Sequence, residues 1–153
     1  MSGDVSVRLL QKKDYQFNIF FDESLPPILG DEPPPLGEGL GPSPAHFLAI
    51  AVGNCLIDSL RFALVKFKQD ADPLEVEVTC GVGRNHQNRL RVVLISVNLK
   101  IGVMANRIEN LDRILSQFRD FCTVSSSISE AIPIEIKVID ASGDIIFTDK
   151  KAP

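Results

Sequence analysis

The sequence predicts one α+β domain in which a long apolar helix packs on a largely antiparallel sheet. Segments in which apolar and polar residues alternate, as in half-buried strands, occur near both ends of the chain and in its middle. A continuous apolar segment with helix-start signals lies between them at 44–60. At 153 residues, 44% hydrophobic and 24% charged, the chain can form one globular core, predicted to span 1–153.

Two alternating segments near the N-terminus predict a pair of strands. The first, "VSVRLLQ", and the second, "YQFNIFF", each place apolar residues on one face: Val5, Val7 and Leu9, then Tyr15, Phe17, Ile19 and Phe21. Residues 22–44 are rich in proline and glycine and predict a long loop that contains at most a short strand. Loops of this length commonly cover a site or contribute to an interface.

The apolar segment after this loop predicts a buried central helix. Ser43 suits the N-cap, and Pro44 suits the first helical position. Every residue from Phe47 to Val52 is apolar, which predicts a helix buried on all sides. One small sheet cannot cover such a helix alone, so the pattern favours a homodimer that buries it between two chains.

The second half of the chain predicts a hairpin, two helices and two further strands. Residues 74–82 and 92–101 alternate, and 83–89 form the turn. The residues expected to face inward are Leu74, Val76, Val78, Cys80, Val82, Val93, Ile95, Val97, Leu99 and Ile101. Residues 106–122 predict one amphipathic helix, with an apolar stripe of Ile108, Leu111, Ile114, Leu115, Phe118, Phe121 and Cys122. A short helix over 123–131 and strands over 132–140 and 143–148 follow.

Charge and composition exclude several classes of function. The net charge of −4 and the lack of a Lys/Arg cluster predict no nucleic-acid partner. Asp58 and Arg61 interrupt the most apolar segment, and no secretory signal precedes it, so no membrane association is expected. The odd count of three cysteines fits thiols kept reduced, which predicts a cytoplasmic protein.

The three cysteines have different settings in the sequence. Cys80 lies on the inward face of a strand and is expected to be core. Cys55 and Cys122 lie on apolar helix faces, where a buried core cysteine is the commoner outcome. A reactive thiol needs a nearby cation, but Asp58 follows Cys55 by three residues and Arg61 lies on another face. An activating charge must therefore come from elsewhere in the fold or from a second chain.

Other catalytic chemistries have no motif in this sequence. The chain has no CxxC, HExxH or phosphate-binding glycine loop, and Cys55, Cys122, His46 and His86 match no familiar metal-site spacing. We therefore expect no metal site. His46, in the first turn of the long helix, is predicted to be a partly exposed capping residue.

Two segments, "GPSPAHFLAIAVGNCLIDSL" at 41–60 and "FCTVSSSISEAIPIEIKV" at 121–138, carry a resemblance to a known family. Pro44, Phe47, Leu48, Ala51 and Cys55 approximate a "P-x-x-L-x-x-A-x-x-x-C" pattern, and Cys122, Val124 and Ser125 match most of a "C-P-V-S" pattern. Both patterns, and the order of the elements between them, resemble the OsmC/Ohr family of osmotically inducible and organic hydroperoxide resistance proteins. The resemblance implies an OsmC-like fold that forms an intertwined homodimer.

The same resemblance implies an activity. Family enzymes are thiol peroxidases that reduce organic hydroperoxides without a cofactor. By resemblance, Cys55 is the peroxidatic cysteine that becomes a sulfenic acid, and Cys122 is the resolving cysteine that forms the Cys55–Cys122 disulfide. A dithiol reductant, such as a lipoylated protein, would reopen that disulfide.

The chain departs from the best-studied family enzymes at two positions. Those enzymes pair the first cysteine with an arginine of an N-terminal strand and with a glutamate ten residues before the cysteine. Here Ala45 occupies the glutamate position, and Lys13 lies near the place of the arginine. Lys13 is therefore the candidate for the charge that stabilises the Cys55 thiolate.

These departures place the chain in the OsmC-like branch and leave two alternatives open. One is a catalytically weak or inactive OsmC-fold protein that binds a small apolar ligand at the dimer interface. The other is a protein that exchanges disulfides with another protein, without preference for peroxides.

Overall fold

A computed structural model describes residues 3–22 and 24–151, with the backbone alone for residue 151. Within it, one compact unit ends at Phe47 and a second begins at Leu48. A single domain over 1–153 stays a prediction.

The first unit contains a three-stranded antiparallel sheet in the order β1-β2-β3. The strands are β1 (Arg8–Lys13), β2 (Gln16–Phe20) and β3 (Ile28–Gly30), so β3 is a short strand within the predicted loop. The predicted strand pair is present, but Val5 and Val7 lie before β1, and Val5 is 91% exposed. The reason is the register: Arg8 pairs with Phe20, the last residue of β2, so residues before Arg8 have no partner strand.

One buried carboxylate organises the loop that follows β3. Asp31 is buried, and its Oδ2 accepts hydrogen bonds from the backbone N–H groups of Leu40 at 3.0 Å and Glu38 at 3.2 Å. Its Oδ1 accepts another from Glu32 at 2.8 Å. These hydrogen bonds hold the pKa of Asp31 below its usual range, and the bond from Leu40 has the largest effect. Part of the predicted long loop is therefore an ordered structure built around Asp31.

The long helix α1 (Pro44–Lys66) begins as the sequence predicts. The backbone N–H of Phe47 donates to the carbonyl of Ser43, which makes Ser43 the residue at the start of the helix. The backbone N–H of Ser43 donates to His46 Nδ1 at 3.0 Å. His46 therefore satisfies a polar group at the helix start, which confirms its predicted capping role.

The second unit contains a four-stranded sheet in the order β4-β5-β6-β7. The strands are β4 (Glu75–Arg84), β5 (Leu90–Lys100), β6 (Ile134–Ile139) and β7 (Ile145–Lys151). β4 and β5 form the predicted hairpin, and β6 and β7 form a second antiparallel pair. β5 and β6 run parallel, because the chain between them crosses over through helices. The α+β class and the largely antiparallel sheet are confirmed.

The predicted single helix over 106–122 is wrong in detail. The chain instead forms a 3₁₀ turn (Ala105–Arg107), helix α2 (Leu111–Gln117) and a second 3₁₀ turn (Phe118–Phe121), followed by helix α3 (Thr123–Ile128). Asn110 has a left-handed backbone (φ 57°) and Cys122 an extended one, so a continuous helix cannot pass through either residue. Most of the apolar stripe still packs inward: Ile108, Ile114, Leu115, Phe118 and Cys122 are buried.

Two residues of the hairpin that were expected to face inward are exposed. They are Val82 and Val93, whereas Ile95, Val97, Leu99 and Ile101 are buried as expected. Gly81 pairs with Leu94 and Val82 with Val92, so Val93 is the extra residue of a β-bulge. A bulge interrupts the two-residue alternation, which the sequence pattern alone cannot show.

Helix α1 buries one face only in the single chain. Its buried apolar residues are Val52, Leu56, Leu60, Ala63 and Leu64, whereas Ile50, Phe62 and Val65 are more than half exposed. The prediction of burial on all sides is therefore not met by one chain. By length and composition α1 could cross a membrane, but core helices of soluble proteins pass the same criterion.

Gly53 sets the distance between α1 and β4. A methyl group added at Gly53 would lie 2.6 Å from Cγ2 of Val78, well inside van der Waals contact. The β-branched side chain of Val78 cannot easily turn away. A glycine in the middle of a helix costs stability, so its presence here is explained by the close approach of the strand.

We expect Gly53→Ala to lower the free energy of unfolding by about 1–2 kcal/mol, since overpacking outweighs the gain in helix propensity. Urea denaturation measures the change. In a Val78→Ala background the same substitution should become neutral or stabilising, because the space is then available. Equal destabilisation in both backgrounds would show that Val78 is not the constraint.

Candidate functional site

Cys55 lies in the middle of α1 and is half-buried. It lines an open cavity of about 390 Å³ together with Asp58, Ser59, Phe62 and Phe121. Asp58, Ser59 and Phe62 follow Cys55 by three, four and seven residues, which places all four on one side of the helix. The cavity is therefore a surface of α1 completed by Phe121 from the 3₁₀ turn.

Two aromatic rings form one wall of this cavity. The rings of Phe62 and Phe121 meet edge to face, with centroids 5.0 Å apart. Lys66 Nζ lies 5.3 Å from the centre of the Phe121 ring. Phe121 was expected in the buried stripe but is 38% exposed, because it belongs to the 3₁₀ turn rather than to a continuous helix. Sequence reasoning missed this pair, although the seven-residue spacing from Cys55 to Phe62 was a usable signal.

Cys122 is fully buried and precedes α3 as its N-cap residue. Its Sγ accepts a hydrogen bond from the backbone N–H of Ser125 at 3.3 Å. The side chain of Ser125 is also fully buried, and its Oγ has no hydrogen-bond partner among the residues that the structure describes.

The two cysteines predicted to react lie side by side. Burial is the main cause that raises the pKa of the Cys122 thiol, and the neighbouring Cys55 thiol raises it further. The hydroxyl and the backbone N–H of Ser125 act in the opposite direction. Both cysteines are free thiols in this structure. Cys55 therefore lines the cavity, whereas its neighbour Cys122 is shielded from solvent.

The charged side chains on α1 near Cys55 are already engaged. Asp58 accepts a hydrogen bond from Asn54 Nδ2 at 3.0 Å. Arg61 Nη1 lies 3.5 Å from Asp72 and 3.7 Å from Asp70, two exposed carboxylates. Arg61 is therefore engaged with carboxylates, whereas Lys66, also on α1, lies against the Phe121 wall of the cavity.

Cys80 lies on β4 and packs partly buried against the core. Burial raises the pKa of its thiol. This setting agrees with the expected core role.

Lys13 is the last residue of β1 in the first unit. It pairs with Glu38, which was not among the residues predicted to form the site. Its Nζ lies 3.2 Å from Glu38 Oε1, and the hydrogen bond to Glu38 raises the pKa of Lys13. Gln16 Nε2 donates to the other Glu38 oxygen at 3.2 Å. Glu38 was missed because residues 22–44 were interpreted as a loop with at most a short strand, whereas Asp31 orders the part that contains Glu38. That Lys13 serves Cys55 stays a prediction.

The first unit also contains an apolar cleft of about 480 Å³. Leu9, Tyr15, Phe17 and Phe47 contribute to its lining. Such a cleft is typical of sites for small apolar ligands.

Within residues 3–22 and 24–151, no group of three or more His, Cys, Asp or Glu side chains is arranged to hold a metal ion.

The family described as "OsmC-like protein" matches residues 37–137. No protein with a curated description matches the sequence.

Several solved structures share the fold. An OsmC-like protein of unknown function from Vibrio cholerae has a TM-score of 0.77 at 12% identity, covering 90% of this chain and 100% of its own. The organic hydroperoxide resistance protein OsmC of Legionella pneumophila has a TM-score of 0.68 at 13% identity, covering 90% and 98%. The organic hydroperoxide resistance protein OhrB of Bacillus subtilis has a TM-score of 0.66 at 12% identity, covering 87% and 97%. At these identities the likeness shows the fold alone.

The difference in burial predicts different reactivity for the two neighbouring thiols. In the reduced protein, iodoacetamide should alkylate Cys55 before Cys122. Because burial raises the pKa of the Cys122 thiol, its alkylation should need a higher pH than the alkylation of a solvent-exposed cysteine does. Peptide mass spectrometry after timed quenching measures both rates, with the unfolded protein as the control. Alkylation of Cys122 at or above the rate of Cys55 would contradict this arrangement.

Proposed function

Since the chain belongs to the OsmC-like family, we propose that it is a thiol peroxidase that reduces organic hydroperoxides through Cys55 and Cys122. One observation carries the proposal: a half-buried thiol that lines an open cavity has a fully buried thiol as its neighbour. A peroxidatic and a resolving cysteine require this arrangement, because the second must reach the first without competing for substrate.

In the proposed reaction cycle, the sulfur atoms of the two cysteines carry out every redox step. The Cys55 thiolate attacks the terminal oxygen of the hydroperoxide, the O–O bond breaks, and the released alkoxide takes a proton to become an alcohol. Cys55 is then a sulfenic acid. The Cys122 sulfur attacks Cys55 Sγ, forms the disulfide and releases water. In a reducing cytoplasm, where we place the protein, a dithiol reductant such as a lipoylated protein restores both thiols.

The cavity supports an organic substrate rather than hydrogen peroxide. Phe62 and Phe121 present apolar ring surface beside Cys55. Such surface binds a hydrocarbon group, while Asp58 and Ser59 form the polar part of the lining. Two of the structural neighbours are organic hydroperoxide resistance proteins, which agrees with this substrate class.

We propose that the protein acts as an intertwined homodimer. The exposed side chains of Ile50, Phe62 and Val65 leave apolar surface on α1. A second copy with the same exposed face is the simplest partner that could cover it.

The alternative function is the binding of a small apolar ligand without turnover. The apolar cleft of the first unit favours it, and so does Ala45 at the position where family enzymes place an acid. If the protein only binds a ligand, the Cys55→Ser variant would still bind that ligand. The wild-type protein would consume no peroxide.

Cys55→Ser should abolish the consumption of cumene hydroperoxide in the presence of dithiothreitol, since it removes the nucleophile. Without dithiothreitol, Cys122→Ser should consume one equivalent of peroxide and leave Cys55 as a sulfenic acid, which dimedone traps. Cys80→Ser is the matched control and should leave the rate unchanged. Peroxide loss is followed by a ferrous-ion colour assay. If wild type consumes no more peroxide than Cys55→Ser, the enzymatic proposal fails.

Lys13→Met should slow the reaction of the enzyme with cumene hydroperoxide by about tenfold, because a nearby cation favours the thiolate. Lys12→Met, an exposed neighbour on the same strand, is the control and should react as wild type does. The second-order rate constant under single-turnover conditions is the measured quantity. Equal constants for the two variants would remove Lys13 from the site.

Ile50→Asp should convert the proposed dimer into a monomer, because it places a charge on the apolar face of α1. Light scattering coupled to size exclusion measures the mass in solution. Asp112→Asn, a charge change on α2, is the control and should keep the wild-type mass. A wild-type protein that is already monomeric at micromolar concentration would contradict the proposal.

A further inference from the structure

We infer that Ser125 directs the reduction of the Cys55–Cys122 disulfide, by stabilising Cys122 as the leaving thiolate so that the reductant attacks Cys55. The inference rests on the proposed function, because it concerns the disulfide that the function requires.

The first observation is the unsatisfied hydroxyl of Ser125. Its Oγ is buried and has no hydrogen-bond partner within the described part of the chain. A buried polar group without a partner destabilises a fold, and alanine would avoid the problem. A serine at this position is explained if its hydroxyl acquires a partner in another state of the site.

The second observation is the position of Ser125 relative to Cys122. The backbone N–H of Ser125 already donates to Cys122 Sγ at 3.3 Å. The hydroxyl lowers the pKa of the same thiol, although its geometry in the dithiol state is not that of a hydrogen bond. A thiolate is a much stronger acceptor than a thiol. When Cys122 becomes a thiolate, rotation of the hydroxyl gives it a second donor.

The third observation is the unequal access to the two sulfurs. Cys55 lines the open cavity, whereas Cys122 is 0% exposed. A reductant that enters the cavity meets Cys55 Sγ first. Disulfide exchange is faster when the accessible sulfur is attacked and when the leaving thiolate is stabilised. Access and stabilisation therefore favour the same direction of reduction.

The dithiol reductant reduces the Cys55–Cys122 disulfide in two steps. A thiolate of the dithiol reductant attacks Cys55 Sγ, the Cys55–Cys122 bond breaks, and its electron pair remains on Cys122 Sγ, which then takes a proton. The second thiolate of the reductant attacks the reductant sulfur of the mixed disulfide. This step releases the Cys55 thiolate and leaves the reductant as a cyclic disulfide.

The experiment compares Ser125→Ala with Ser126→Ala, an exposed serine on the same helix. Each protein is oxidised with diamide, and its reduction by excess dithiothreitol is followed by acid quenching and thiol counting. We expect Ser125→Ala to be reduced about tenfold more slowly, and Ser126→Ala to match wild type. The reduced Ser125→Ala protein should melt no lower than wild type, because its lost hydroxyl had no partner. A reduction rate equal to wild type would overturn the inference.

A second measurement tests the direction itself. Diamide-oxidised protein is treated with a limiting amount of the monothiol glutathione, quenched with acid and mapped by mass spectrometry. We expect the glutathione adduct on Cys55, in wild type and in Ser126→Ala. An adduct mainly on Cys122 would overturn the inference.

These tests separate the inference from the proposed function, because diamide forms the disulfide without peroxide. A disulfide whose reduction depends on Ser125 in a protein that consumes no peroxide supports the inference and refutes the peroxidase. Peroxide consumption without any Cys55–Cys122 disulfide under diamide refutes the inference and leaves the peroxidase standing.

Discussion

The close packing of α1 on the four-stranded sheet is the constraint on which the site depends. Gly53 has no side chain, so the helix lies in direct contact with Val78 of β4. Cys55 is two residues further along the same helix and packs partly against the core. The sheet fixes the depth of α1, and the chain between β5 and β6 places Cys122 beside Cys55. A shift of α1 away from β4 would therefore change the distance between the sulfur atoms of Cys55 and Cys122.

The site consists of two thiols in unlike surroundings. Cys55 has an aromatic wall and an opening to solvent, whereas Cys122 is buried and has the donors of Ser125 close to its sulfur. Burial raises the pKa of Cys122, and Ser125 opposes that effect. Such a pair suits a cycle in which one sulfur meets the outside reactants and the other forms and releases a bond internally. The proposed peroxidase and the proposed direction of reduction both use this asymmetry.

Much of the fold and part of the site could be predicted from the sequence. The alternation of β4 and β5, the start of α1 at Ser43–Pro44 and the capping role of His46 are local signals, and each is confirmed. The bulge at Val93, the breaks at Asn110 and Cys122 and the exposure of Phe121 in its 3₁₀ turn are departures from regular geometry, which hydrophobic periodicity does not encode. The pairing of Lys13 with Glu38 was missed because the side chain of Asp31 orders the loop that contains Glu38.

In the proposed cycle, peroxide oxidises Cys55 and Cys122 to a shared disulfide. The most direct measurement is the mass of the reduced protein after one equivalent of cumene hydroperoxide, followed by peptide mapping without reductant. We expect the loss of two hydrogens and a peptide pair joined through Cys55 and Cys122, with Cys80 still free. A protein that keeps all its thiols, or that joins Cys80 instead, would contradict it.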